Sequence, residues 1–272
     1  MLFVSTSGAL GRYIDLPIPV TIALRALLAL FFLVLYCSFK GISLRVEKRH
    51  LLPVLTSGLL MGLHWLTYFY ALKLSNVAIG MISLFTYPIL TAFLEPWLLK
   101  TKLQKVHLVL GLMVLVGIYF LVPNFDLKNN GTLAVVVGIF SALAYALRNI
   151  VLKTKVSDYN GSMLMSYQMG VVVVFLFPFI FTVDMVEITS QWEAVVALAV
   201  MTTAVGHTMF LNSFKHFSIT TVSILSSIQP IFGISIGAIF LSEIPTQNTI
   251  IGGVLILGSV IFESIRTSRL QS

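Results

Sequence analysis

Nearly the whole chain divides into apolar runs of the length a helix needs to cross a bilayer, about 20 residues for a hydrocarbon core of roughly 30 Å. Only 10% of the residues are charged and 58% are hydrophobic, whereas a soluble domain carries about a quarter charged residues. Such a chain folds in lipid, and no stretch is left over for a soluble domain. The net charge of +7 does not point to nucleic acid. A nucleic-acid binder gathers its basic residues on one water-facing surface, while here they sit in the gaps between apolar runs. The single cysteine, Cys37, lies inside an apolar run and can close no disulfide within the chain. Met1 opens directly into an apolar segment, with no basic region ahead of it and no cleavable signal.

Ten segments are expected, near 1–14, 17–39, 51–72, 77–99, 106–122, 132–152, 162–182, 194–214, 218–241 and 249–264. All are helices, because only internally hydrogen-bonded segments are stable in hydrocarbon. The first is short: fourteen residues reach only about 21 Å, so it is a partial span, or Met1 lies within a longer natural first helix. Lysine and arginine are distributed unevenly. Twelve fall in one set of connections and the C-terminus, from Lys40, Arg45, Lys48 and Arg49 through to Arg266 and Arg269. The other set holds only Arg12, Lys73 and Lys128, and its connection after the seventh segment is acidic through Asp184, Glu187 and Glu193. The positive-inside rule then places both ends on the cytoplasmic side of the cell membrane.

The chain also repeats. An offset of 142 pairs Pro88 with Pro230, Lys73 with Lys215 and Gly111 with Gly253; one further residue pairs Arg25 with Gln168 and His64 with His207. Residues 1–126 and 127–272 each hold five segments. Five is odd, so the second unit enters the membrane upside down relative to the first. This is the inverted repeat of transporters, whose binding site sits near the midplane between the units.

Ionisable groups inside a span are costly, about 2.5–3.5 kcal/mol at the bilayer centre on insertion scales, so each is a candidate site residue. Arg25 has no acidic residue on neighbouring turns of its own helix; it is an anion-binding or gating group, or it snorkels to the outer interface. His64 shares one helix face with Ser57, Met61 and Tyr68, and His207 shares another with Thr203 and Phe210. The two imidazoles could meet across a pseudo-twofold axis and bind solute or titrate, or each could be satisfied by a neighbouring helix. Two histidines without a nearby cysteine or carboxylate make a poor metal site. Ser83, Tyr87, Thr91 and Glu95 form a polar ribbon in the fourth segment; Glu95 is placed to take a coupling proton or to pair with Lys100 or Lys102. Pro88 and Pro230 each remove a backbone donor in mid-segment, beside Tyr87 and Gln229, and are expected kinks or hinges. Gly58 with Gly62 and Gly233 with Gly237 are small-residue pairs that allow close helix packing.

These stretches resemble the EamA branch of the drug/metabolite transporter superfamily. Pro19-Val-Thr-Ile-Ala-Leu-Arg25 is similar to its second-helix entry. Thr86-Tyr-Pro88-Ile-Leu-Thr-Ala and His107 through Gly117 are similar to its fourth and fifth helices. Ser227-Ile-Gln-Pro230-Ile-Phe-Gly, Phe240-Leu-Ser-Glu243 and Gly252-Gly253 are similar to its ninth and tenth. Two departures stand out: Thr101 occupies the position that matches Glu243 in the first unit, and the first span is short. The resemblance implies helices one to four and six to nine around a central cavity, helices five and ten at the periphery, and Arg25, Tyr87, Gln168 and Gln229 beside the cavity. It implies a secondary transporter for a small solute, with export of an amino acid or related metabolite as the leading expectation, and no cofactor. The competing class, an intramembrane enzyme acting on lipid or isoprenoid, needs a nucleophile and base or a metal cluster, which the dispersed ionisable residues do not supply. No Walker A sequence is present for ATP hydrolysis.

Overall fold

A computed structural model of the chain describes residues 2–100, 103–122, 125–153, 159–213, 226 and 228–271. Every regular element among them is helical. In chain order these are α1 (Leu2–Tyr13), α2 (Ile18–Phe39), α3 (Lys48–Leu74), α4 (Val77–Leu84), α5 (Tyr87–Leu99), α6 (Lys105–Leu121), α7 (Asn130–Lys153) and α8 (Gly161–Leu176). A 3₁₀ turn, Phe177–Thr182, follows, then α9 (Met185–Ser190), α10 (Trp192–Ala197), a π-helix over Leu198–His207, α11 (Thr208–Ser213), α12 (Gln229–Leu241) and α13 (Gln247–Gln271).

Seven stretches are long and apolar enough to cross a membrane: Ile18–Phe39, Lys48–Leu74, Val77–Leu99, Asn130–Leu152, Gly161–Thr182, Trp192–Ser213 and Gln247–Arg266. Lys105–Leu121 and Gln229–Leu241 are shorter apolar helices. At 12 residues, α1 reaches about 18 Å. Most of the sequence between α11 and α12, where the ninth expected segment begins, lies outside the described residues, as does Thr101. The surface is apolar where a bilayer would touch it. Phe31, Phe39, Trp97, Leu112, Leu115, Phe140, Val174, Phe175, Ile239, Phe240 and Val254 are all exposed, a surface that would drive association in water. The chain is a multi-pass membrane protein.

Helix starts follow from local chemistry. Asn76 accepts the N–H of Ile79 at 2.9 Å to open α4, and Asn160 accepts that of Ser162 at 2.8 Å to open α8. Pro88 and Pro230 stand in the first turns of α5 and α12, where a missing N–H costs nothing. The break in the fourth span therefore lies ahead of the proline, at Phe85–Thr86, where Thr86 Oγ1 donates to the Ser83 carbonyl at 2.8 Å. Tyr87–Leu99 and Gln229–Leu241 are both 13 residues long, and each ends on a left-handed residue, Lys100 (φ 55°) and Ser242 (φ 57°). The offset between them is again 142 (242 − 100).

Packing mixes the two halves of the sequence. α3 lies along α7, α2 along α8, α6 along α13, and α1 against both α12 and the π-helix. Glycines mark the closest approaches. A Cβ on Gly58 would meet Val171 and the backbone of Gln168, and one on Gly233 would collide with the Met81 sulfur. The small-residue pairs expected from the sequence thus do place backbones against neighbouring helices.

Candidate functional site

Arg25 is completely buried, which excludes snorkelling to the interface. Its guanidinium reaches across the sequence: Nε donates to Thr203 Oγ1 at 2.7 Å, Nη2 to Thr202 Oγ1 at 2.9 Å and Nη1 to Ser7 Oγ at 3.4 Å. Two adjacent threonines serve one guanidinium because they lie in the wide turns of the π-helix, an element that recurs at functional sites. The face of Trp65 closes the remaining side, its centroid 3.7 Å from Cζ.

Arg148 on α7 is a second completely buried guanidinium. Gln168 Oε1 accepts its Nε at 3.0 Å and its Nη2 at 2.9 Å, and Asn149 Oδ1 accepts Nη1 at 3.0 Å. Gln168 is therefore an arginine partner on α8 and does not line the cavity described next. Among the described residues neither arginine has a carboxylate within ion-pair distance.

Beside both lies a small cavity of about 30 Å³, room for one or two water-sized molecules. Its lining comes from both ends of the sequence: Val4, Ser7, His64, Trp65, Tyr68, Met81, Leu84, Phe85 and Tyr87, with Tyr145, His207 and Gln229 opposite. All of these except Val4 are buried. Of the expected cavity residues, His64, Tyr68, Tyr87, His207 and Gln229 thus face one space. Arg25 stands one layer behind it, touching the lining residues Ser7 and Trp65, and Arg148 stands near the lining Tyr145.

The histidines differ in their bonding. His64 Nδ1 is 2.8 Å from Ser141 Oγ, and that hydroxyl donates its one proton to the His64 carbonyl at 2.8 Å. Nδ1 then carries a hydrogen. Tyr68 stacks on His64 and Tyr145 tilts against it. His207, tilted against Trp65, has a buried Nδ1 with no hydrogen-bond partner among the described residues. Tyr87 Oη is 3.2 Å from Ser226 Oγ.

One end of the bundle is closed by charge. Arg12 Nε donates to Glu243 Oε1 at 2.8 Å, while Glu243 Oε2 accepts the Val77 N–H at 2.8 Å, at the N-terminus of α4. Lys73 Nζ donates to the Ile14 carbonyl at 2.6 Å and stands 3.8 Å from Asp15. Arg12, Lys73 and Glu243 belong to connections that charge asymmetry assigned to a single side. A second cluster joins the paired outer helices: Glu263 on α13 accepts from Arg266 at 2.7 Å and lies 3.0 Å from His107 Nε2 on α6. Glu95 is half-buried on α5 and is not part of the cavity lining. Among the described residues, no group of three or more histidine, cysteine or acidic residues could hold a metal ion.

Three functional elements escaped the sequence reading. Arg148 carried the same signal as Arg25, a charge inside a span, but no repeat partner drew attention to it. Trp65 and Tyr145, which line the cavity and pack near the two arginines, looked like ordinary aromatic residues of a membrane helix.

Comparison with known proteins matches residues 1–122 and 132–265 to the EamA-like transporter family. The chain is similar to the pseudopaline exporter CntI of Pseudomonas aeruginosa, at 24% identity over 226 residues, covering 83% of this chain and 79% of that protein. It is also similar to an uncharacterized transporter of Archaeoglobus fulgidus, at 26% identity over 72% of this chain and 70% of that one. The transporter YxxF of Bacillus subtilis is 23% identical over 98% of this chain and 87% of its own length. A crystal structure at 18% identity superposes with a TM-score of 0.68 over 100% of this chain and 98% of the other, which shows a shared fold.

Proposed function

The chain belongs to the EamA-like transporter family, a membrane transporter and not an enzyme, and from that premise we propose that it is a secondary-active transporter exporting a small metabolite, an amino acid or related solute, by alternating access. The cavity carries this proposal: a small space lined by apolar and polar side chains drawn from both halves of the chain. As it stands the space holds one or two waters, so a metabolite fits only when it widens as the units part.

The mechanism rests on two inverted five-helix units, residues 1–126 and 127–272, within ten spans whose termini are both cytoplasmic. Several observations support it. Helix contacts keep their pattern when the halves are exchanged: α3 on α7 corresponds to α1 on the π-helix, and α4 and α5 on α7 correspond to α12 on α1. α2 with α8 and α6 with α13 correspond to themselves. The matched ends of α5 and α12 repeat the offset of the prolines. Loosening the Arg12–Glu243 clasp opens the cavity on one face; rocking of the units about α2 and α8 opens it on the other.

The test is transport by purified protein in liposomes, with and without an imposed pH gradient, over a panel of amino acids. Accumulation or loss of a solute across intact vesicles supports the proposal. Chemical turnover without vesicle accumulation contradicts it.

A further inference from the structure

Resting on that reading, we infer that the transported solute is a small carboxylate of net negative charge rather than a zwitterion. Two guanidiniums are wholly buried around one small cavity, and every hydrogen bond they make is to a neutral acceptor. Buried charges are retained where a partner neutralises them; within the described residues that partner is missing, and an anion in the cavity would supply it. His207, which lines the same space, has a buried Nδ1 with no hydrogen-bond partner among the described residues.

The aromatic lining suggests an opposite class, since Trp65, Tyr68, Tyr87 and Tyr145 could cage a cation. Trp65 decides against it. Its face is already occupied by Arg25, 3.7 Å from the centroid, so a cationic solute would find the attraction spent and a like charge behind the ring. Donor capacity also favours a carboxylate over a phosphate ester. Of five guanidinium N–H groups, Arg25 commits three, to Thr203, Thr202 and Ser7. Arg148 commits four, to Gln168, Asn149 and the Met165 sulfur. The few left match the two oxygens of a carboxylate better than the three of a phosphoryl group.

The experiment loads proteoliposomes with equimolar succinate, glutarate, L-glutamate, L-glutamine, L-leucine, glycerol 3-phosphate, putrescine and cadaverine, and follows what leaves by mass spectrometry. Preferential loss of succinate, glutarate or glutamate is expected. The ratio of that flux to leucine flux, which does not depend on how much protein inserts, should fall about tenfold or more in Arg25→Gln and Arg148→Gln and largely survive in Arg25→Lys. Preferential loss of the amines, the neutral amino acids or the phosphate ester overturns the inference while leaving transport intact, as does a ratio unchanged in both glutamine variants. Loss of no probe overturns the transport reading, and this inference with it.

Discussion

Arg25 on α2 and Thr203 in the π-helix are 178 residues apart in sequence and 2.7 Å apart in space. The bond joins the two halves of the chain at the edge of the cavity. A guanidinium at that depth is tolerated because Thr202, Thr203 and Ser7 take its protons and Trp65 covers its face.

Removing an acceptor from this set leaves a buried donor unsatisfied. Thr203→Val is expected to cost about 1.5–3 kcal/mol, and Thr203→Ser, which keeps the oxygen, much less. Thermal unfolding of the purified protein in detergent compares the two. Equal behaviour of valine and serine would show that the hydroxyl does not hold the arginine.

The clasp at one end should be weak enough to open. Arg12 and Glu243 keep side-chain exposures of 32% and 18%, and part-exposed pairs contribute about 0–1 kcal/mol; the bond to Val77 adds a cap worth about 1 kcal/mol. Glu243→Gln should therefore leave the protein folded while a cysteine at Leu84, on the cavity wall, reacts several-fold faster with an impermeant maleimide applied from the clasp side. An unchanged rate would mean that the clasp does not gate the cavity.

Glycines of one chain should respond in opposite directions. Gly233→Val places a side chain into Met81 and is expected to abolish folded protein, whereas a Cβ at Gly170 meets nothing within 4 Å. Gly170→Ala should be neutral or gain up to about 1 kcal/mol, since glycine weakens a helix interior. Fluorescence size-exclusion profiles of the two variants check this.

Orientation is testable with two cysteines placed in the native Cys37→Ser background, one at Asp126 and one at Arg45. The topology read from the charge asymmetry, with three spans between these positions, predicts that they label from opposite faces of the membrane. Labelling from the same face would contradict it.

Span positions were legible in the sequence because a bilayer selects directly for apolar length. The expected segments at 77–99 and 162–182 coincide with Val77–Leu99 and Gly161–Thr182 to within a residue. The cavity residues were partly legible. His64, Tyr68 and His207 stand out as polar groups on buried faces, and all three line the space. What local pattern could not reveal is which residue pairs with which. Gln168 matched Arg25 by repeat position yet binds Arg148, and Glu243, noted only within a stretch similar to the family, reaches the start of α4. The π-helix left no periodic trace, since Leu198–His207 reads as an ordinary apolar run. Such features depend on contacts between distant segments, which hydropathy does not encode.

The central claim is that the cavity opens in turn to each face of the membrane. A single cysteine at Leu84 in the Cys37→Ser background, probed with an impermeant maleimide in right-side-out and inside-out vesicles, tests it most directly. The account predicts labelling from both faces, slowed by a transported solute. Labelling from neither face, or from one face only under every condition, would contradict it.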